Sequence, residues 1–287
     1  MIDVVVSGVA GRLGRRIAWA VANDPALQLA GGVDAPGAPS VGVALSVLAG
    51  VERAGAAPVG DALAPLLDAH AGSSASVGGA AGAGRVVVVE TAPKRVALAH
   101  AEAAAARGAA LLVATTGFDA AERRTFEAAA ERVPVLVAPN LSLGVTVLLE
   151  LVRQASRALE AYDLEIVEMH HNQKVDAPSG TAWALGRAAA EGRGQDVERD
   201  AILARAGEVG KRGKQEIGIQ TLRGGGVIGE HTVFVVGEAE RLELTHRAQS
   251  RDVFALGAAR AARFLGAPER APGLYAMRDV LGLGGGS

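Results

Sequence analysis

Residues 2–14 read IDVVVSGVAGRLG, and the fold turns on how that stretch is read. Ile2, Val4, Val5 and Val6 make a short, β-branched, apolar run of the kind that fills a buried strand. Three glycines follow as G-x-x-G-x-x-G at Gly8, Gly11 and Gly14, with Ala10 where a second glycine often stands. Residues 12–23 then carry helical spacing. A strand that turns through glycines into a helix presents free N–H groups and a partial positive charge to a pyrophosphate. Gly8 and Gly11 permit the tight turn, and Arg12 can add a charge-assisted contact. Asp34 lies twenty residues beyond Gly14, at the end of a second strand pattern (27–33), where a carboxylate can accept hydrogen bonds from ribose hydroxyls. Together these features predict a dinucleotide site. A carboxylate repels a 2′-phosphate and Ala35 is not basic, so the expected cofactor is NADH; Arg12, Arg15 or Arg16 leave NADPH open.

The same alternation continues outward. Residues 61–70 suit a short helix, 85–90 a strand with four consecutive valines, and 93–107 a helix. Residues 110–114, 120–132 and 135–138 repeat the pattern. Continuous apolar strands separated by helices predict a doubly wound α/β domain with a parallel sheet, ending near residue 141. Beyond it the pattern changes. A long helix (145–162) precedes a strand (163–168), and runs at 217–222, 228–236 and 242–246 then read as strands without intervening helices. That grouping predicts a second α+β domain with an open mixed or antiparallel sheet. A final helix is expected at 251–265. Residues 35–58 read as loop, 72–84 as low-complexity linker and GLGGGS as a flexible tail.

The chain has 287 residues, 49% apolar and 21% charged, with a formal net charge of -2. This balance lacks the basic excess of a nucleic-acid binder. No apolar run reaches the ~20 residues of a membrane span. The first residues enter a strand pattern with no basic n-region, so the expected address is cytoplasmic. With no cysteine, thiolate metal sites and disulfides are excluded.

Residues 168–182 read EMHHNQKVDAPSGTA. His170 and His171 end a strand, Lys174 follows in a turn, and Asp176 to Thr181 resemble a helix start. An imidazole titrates near neutrality and can give a proton during turnover. Lys174 offers a positive charge to a carboxylate. Either Asp176 or Ser179 can cap the helix, yet the same N–H groups bind anions, and Ser179, Gly180 and Thr181 add hydroxyls and close backbone approach. The residues alone leave both readings open. A metal site from Glu168, His170 and His171 is not expected, since neighbours on a strand face opposite ways. His70 and His100 fall in helices and read as surface or packing residues; His231 and His246 read as strand-end hydrogen-bonding groups.

These motifs resemble the 4-hydroxy-tetrahydrodipicolinate reductase family, also called dihydrodipicolinate reductases. The likeness runs through GVAGRLG, ATTGFD (114–119), APNLSLGV (138–145), EMHHNQKVDAPSGTA, RGGGVIGEHTVFV (223–235), LTHRAQSRDVFALGA (244–258) and MRDVLGL (277–283). The resemblance implies NAD(P)H-dependent reduction of a cyclic dicarboxylate in the diaminopimelate route to lysine, without a metal. It implies a dinucleotide domain of residues 1–141 and 252–287. Residues 142–251 would form a substrate domain that assembles a homotetramer and closes by a hinge. His170 would be the proton donor with Lys174 its partner. His171, Lys174, Ser179, Gly180 and Thr181 would hold the substrate. Gly8, Val9, Ala10, Gly11, Arg12 and Leu13, with Asp34, Ala114, Thr115, Thr116, Ala138, Pro139, Asn140 and Leu141, would line the cofactor. The chain departs from the family at Glu90, where an aromatic is usual, at Ala92 and at Leu141; residues 72–84 resemble an insertion. Another imine reductase or amino-acid dehydrogenase, or a non-catalytic NADH-binding regulator, are the alternatives.

Overall fold

A computed structural model describes residues 1–75 and 85–284, with side chains omitted at 71–75. Most of the 72–84 linker and the last three residues of the tail therefore lie outside the described residues. The chain forms two compact units, Met1–Leu141 with Asp252–Ser287, and Ser142–Arg251.

The first unit runs β1 (Ile2–Ser7), α1 (Arg12–Asn23), β2 (Leu27–Val33), α2 (Leu45–Ala49), α3 (Leu63–Ala75), β3 (Val87–Glu90), α4 (Lys94–Ala106), β4 (Ala110–Val113), α5 (Ala120–Ala130) and β5 (Pro134–Val137). Its six-stranded sheet has the order β11-β5-β4-β3-β1-β2, where β11 is Gly273–Tyr275, and every pairing is parallel. Strands buried on both faces explain the unbroken valine runs: Val4, Val5, Val6, Val87, Val88 and Val89 are wholly buried. Strand order reverses at β1, so the crevice between the C-terminal ends of β1 and β3 is where such a sheet takes its ligand.

The second unit runs α6 (Leu143–Ala158), β6 (Asp163–His170), α7 (Gly180–Arg193), α8 (Val197–Asp200), β7 (Ala201–Ile202), β8 (Ile217–Arg223), β9 (Glu230–Val236) and β10 (Arg241–Arg247). Its sheet has the order β10-β9-β6-β8-β7 and is mixed. β6 pairs parallel with β8 because α7 carries the chain across, and antiparallel with β9. One face packs Leu164, Ile166, Ile217, Ile219, Val233 and Val235 against Leu148, Val152 and Leu185 of α6 and α7. The chain then returns to the first unit as α9 (Asp252–Leu265), β11 and α10 (Met277–Val280). α9 packs on α1, β3 and β4. A side chain at its Gly257 would strike the backbone of Leu141.

Two expectations need correction. Residues 35–58 are not merely loop: they contain α2 and a single 3-10 turn at Glu52–Ala54. The helix expected at 61–70 continues to Ala75, into the stretch read as linker.

Candidate active site

In the first unit the glycine turn has the shape its sequence requires. Gly8 has φ +72°, the left-handed region that a side chain disfavours. Thr91 grips the turn from the end of β3, its hydroxyl donating to the Ser7 carbonyl at 2.7 Å and lying 3.3 Å from that of Gly8. Gly11, expected to share the turn's special geometry, has an ordinary φ of -63° and is the N-cap of α1. Lacking a side chain, it leaves the helix start open to a ligand. Gly14 brings the helix against the turn: a Cβ there would lie 2.9 Å from both Gly8 C and Val9 Cα.

Asp34 follows β2. Its carboxylate accepts the Ala35 N–H at 2.9 Å and the Ser40 hydroxyl at 2.7 Å. Each oxygen retains a lone pair for a further donor. Arg16 makes a two-pronged pair with Asp252 (2.6 and 2.8 Å), and Arg15 donates to the Ala10 carbonyl at 2.9 Å. Arg12 is exposed at the helix start. Ala114, Thr115 and Thr116 follow β4, where the Thr115 hydroxyl donates to the Ala92 carbonyl at 2.7 Å. Ala138, Pro139, Asn140 and Leu141 follow β5. Of the residues expected to line a cofactor, Val9, Ala138 and Leu141 are buried, so their side chains are packing.

Behind this loop lies a polar group around Glu90, the position where the sequence departs from the family's usual aromatic. Glu90 is fully buried; it accepts the Ala92 N–H at 2.6 Å and pairs with His100 Nδ1 at 2.6 Å. The Ser7 hydroxyl lies 3.1 Å from the same nitrogen. His100 is thus part of an internal network that ties β1, β3 and α4, the packing rather than the surface alternative for this residue.

In the second unit β6 delivers Glu168 and His170 on one face, two residues apart. Glu168 is wholly buried. One oxygen accepts the Ser179 N–H (3.0 Å), the Thr221 hydroxyl (3.1 Å) and Arg223 Nη2 (3.0 Å). The other meets His170 Nδ1 (2.5 Å) and Arg223 Nη1 (2.9 Å). Burial pushes the Glu168 carboxyl up, but hydrogen bonds from Arg223, His170 and Ser179 outweigh it and hold it below its ordinary value. Burial pushes the His170 ring down, and the charges of Lys174 and Arg223 add to this. The opposing pull of Glu168 leaves the ring below its ordinary value.

Ser179 is the N-cap of α7, its hydroxyl oxygen accepting the Ala182 N–H at 3.1 Å. It is 2% exposed and its oxygen lies 3.1 Å from His231 Nε2. Its hydroxyl is therefore spent on capping, not offered to a ligand as expected. His231 packs edge-on against the His170 ring, with centroids 5.2 Å apart, and burial lowers its pKa to about 4. His170 is hydrogen-bonded to Glu168, while the Lys174 ammonium meets both oxygens of Asp176 at 2.7 Å. Arg223 also donates to the Asp176 carbonyl at 2.7 Å, anchoring the turn. His171 is half-buried in this turn, its carbonyl accepting the Lys174 N–H at 3.1 Å. Gly180 is exposed and Thr181 half-buried at the helix start. Among the described residues no cluster has the makings of a metal site, and no helix is long and apolar enough to cross a membrane.

Sequence reasoning missed the parts played by Glu168 and Arg223. The Glu-x-His spacing on a strand was the available signal for the first; Arg223 comes from β8 and leaves none. His231, read as a strand-end hydrogen-bonding group, does meet the Ser179 hydroxyl from the start of β9.

A parallel sheet ending in a glycine turn, joined to a mixed-sheet unit, is the architecture of a dinucleotide-linked oxidoreductase. The family described as "Dihydrodipicolinate reductase, N-terminus" matches residues 2–141, and "Dihydrodipicolinate reductase, C-terminus" matches 144–281. The chain is 47% identical over 287 residues to the 4-hydroxy-tetrahydrodipicolinate reductase of Anaeromyxobacter dehalogenans (strain 2CP-C), covering all of both chains. It is 44% identical to that of Thiobacillus denitrificans (strain ATCC 25259 / T1), covering 98% of this chain and 99% of the relative. A dipicolinate-bound dihydrodipicolinate reductase from Paenisporosarcina sp. TG-14 shares the fold at TM-score 0.71 and 22% identity, over 96% of this chain and 97% of its own. The chain belongs to the dihydrodipicolinate reductase family.

Proposed function

We propose that this chain reduces 4-hydroxy-tetrahydrodipicolinate to tetrahydrodipicolinate, with loss of water, in the diaminopimelate route to lysine. Full-length identity of 47% to a reductase of that name supports the reaction, and the family's NAD(P)H dependence comes with it. The observation that carries the residue roles is one buried carboxylate, Glu168, joining His170 to the capped start of α7.

The glycine turn fits a dinucleotide: the uncapped start of α1 receives the pyrophosphate, and Asp34 the ribose hydroxyls. Ala114 to Thr116 and the backbone of Ala138 to Leu141, whose Ala138 and Leu141 side chains are packed inward, would line it. When bound, the dinucleotide supplies a hydride to an electrophilic ring carbon of the substrate. His170 gives a proton to the substrate as charge develops. Lys174, His171 and the N–H groups of Gly180 and Thr181 take its two carboxylates. Asp34, and the engagement of Arg16 by Asp252, favour NADH over NADPH. We assign a homotetramer built through the sheet face opposite α6 and α7, where Leu222 is half exposed; sedimentation of the purified chain tests it.

The deciding experiment follows NADH oxidation with enzymatically generated substrate. His170→Gln is expected to lower kcat by about 10²–10⁴-fold, the range for loss of a general acid. An unchanged rate would remove His170 from the chemistry, and turnover only with other imines would overturn the substrate assignment.

A further inference from the structure

Glu168 stands in the middle of the second unit's polar cluster, yet nothing in the reaction requires it to touch substrate. We infer that Glu168 is a positioning residue that fixes the tautomer of His170 and, with the same carboxylate, the start of the anion-binding helix. The inference rests on the assignment of His170 as proton donor.

The geometry is specific. Glu168 carries two oxygens and receives donors at both. An ionised carboxylate only accepts hydrogen bonds, so the nitrogen facing it at 2.5 Å, Nδ1 of His170, must bear a hydrogen. In the neutral ring Nε2 is then the bare nitrogen, and in the protonated ring Nε2–H is the proton available for delivery. The arrangement is completed by Gly229, where a Cβ would stand 3.0 Å from His170 Nε2. The glycine leaves that side of the ring unobstructed. Ser179, bound through its N–H to the other oxygen, is also the cap of α7. A shift of the carboxylate therefore moves the proton donor and the helix start together.

The charged or titratable groups around the ring are Glu168 on its own strand, Lys174 in the following turn, Arg223 on β8 and His231 on β9. Arg223 spans both carboxylate oxygens, which holds Glu168 ionised beside the imidazole.

The test uses the intact protein with 15N-labelled histidine. The His170 signals are assigned by their loss in the His170→Gln variant. At a pH well above the ring's titration, wild type is expected to show a protonated Nδ1 and a bare Nε2; the opposite tautomer would overturn the proposal. In Glu168→Gln the amide nitrogen faces His170, since the other position already meets three donors. Nδ1 then becomes an acceptor and the tautomer inverts. kcat is expected to fall by about 10²–10⁴-fold, with an altered acid limb in the pH profile. Because the dinucleotide turn belongs to the other unit, the Kd for NADH is expected to stay unchanged. A Glu168→Gln enzyme with wild-type kcat and pH profile, alongside an inactive His170→Gln, sinks this inference alone. Retained activity in His170→Gln sinks the proton-donor assignment beneath it. Should Glu168→Gln fail to fold, the wild-type tautomer decides.

Discussion

Gly14→Ala isolates the contact on which the dinucleotide turn depends. The new methyl would lie 2.9 Å from Gly8 C and Val9 Cα, and nearer still to the Gly8 carbonyl oxygen. All three atoms are backbone, so no side chain can swing aside; helix and turn must part by about an ångström to relieve the contact with the Gly8 oxygen. Overpacking of this kind costs about 1–3 kcal/mol, or roughly 2–12 °C in Tm for a domain of this size. The displaced turn no longer aims its N–H groups at the pyrophosphate. A hydrogen bond to a charged group is worth about 1.5–3 kcal/mol, so losing one raises the Kd for NADH by about 10–150-fold. Gly11→Ala is the internal control. Its φ of -63° suits alanine, and its Cβ would stand 3.1 Å from the Gly8 oxygen, a contact that a small adjustment relieves. Gly8→Ala combines the left-handed φ with a Cβ 2.8 Å from Thr91 Oγ1 and 3.0 Å from the Ala92 nitrogen. Calorimetric titration with NADH and thermal unfolding should therefore place Gly14 and Gly8 far above Gly11 in effect. Equal or reversed losses would refute the packing argument.

Three further outcomes follow from the site. Lys174→Ala is expected to raise KM for substrate by about 10-fold or more, from the loss of one charge-assisted contact, and to lower kcat less; an unchanged KM removes it from carboxylate binding. Asp34→Ala should move the ratio of NADH to NADPH efficiency toward NADPH, and a ratio that stays put defeats the cofactor argument. His231 has a folded pKa lowered to about 4, against about 6.5 when unfolded, so the unfolded chain takes the proton first. Above pH 6.5 this difference costs nothing; between pH 6.5 and 4 it removes stability, on the order of 3 kcal/mol in all. Urea unfolding across that window should show the decline in wild type and a shallower one in His231→Asn.

Much of the first unit was legible because its signals are local. The valines of β1 and β3 are buried on both faces, and the glycine turn needs only neighbours in sequence. β11 and β7 escaped notice because Gly273–Tyr275 and Ala201–Ile202 are too short to show a period. α2 was hidden by the glycines and prolines around it. In the second unit His170 and Lys174 stood out by residue type, but the group that organises them did not. Arg223 lies 55 residues from Glu168 and reaches it only because β8 pairs with β6 in a register that sets His170 opposite Arg223. Such register is set by the whole sheet. His100, read only as a surface or packing residue, hid its specific partner for the same reason: helical position says nothing of a buried glutamate on an adjacent strand.

The Glu90–His100 pair constrains how this chain can vary. Replacing either member alone leaves Glu90 with only the Ala92 N–H, or His100 with only the Ser7 hydroxyl, a loss of up to about 3–5 kcal/mol when the pair is charged. Exchanging both at once for apolar groups of matching volume can be nearly neutral. The two positions are therefore expected to drift as a couple, and a lineage that carries an aromatic at 90 is separated from this one by a valley that single substitutions cross only at a cost to folding.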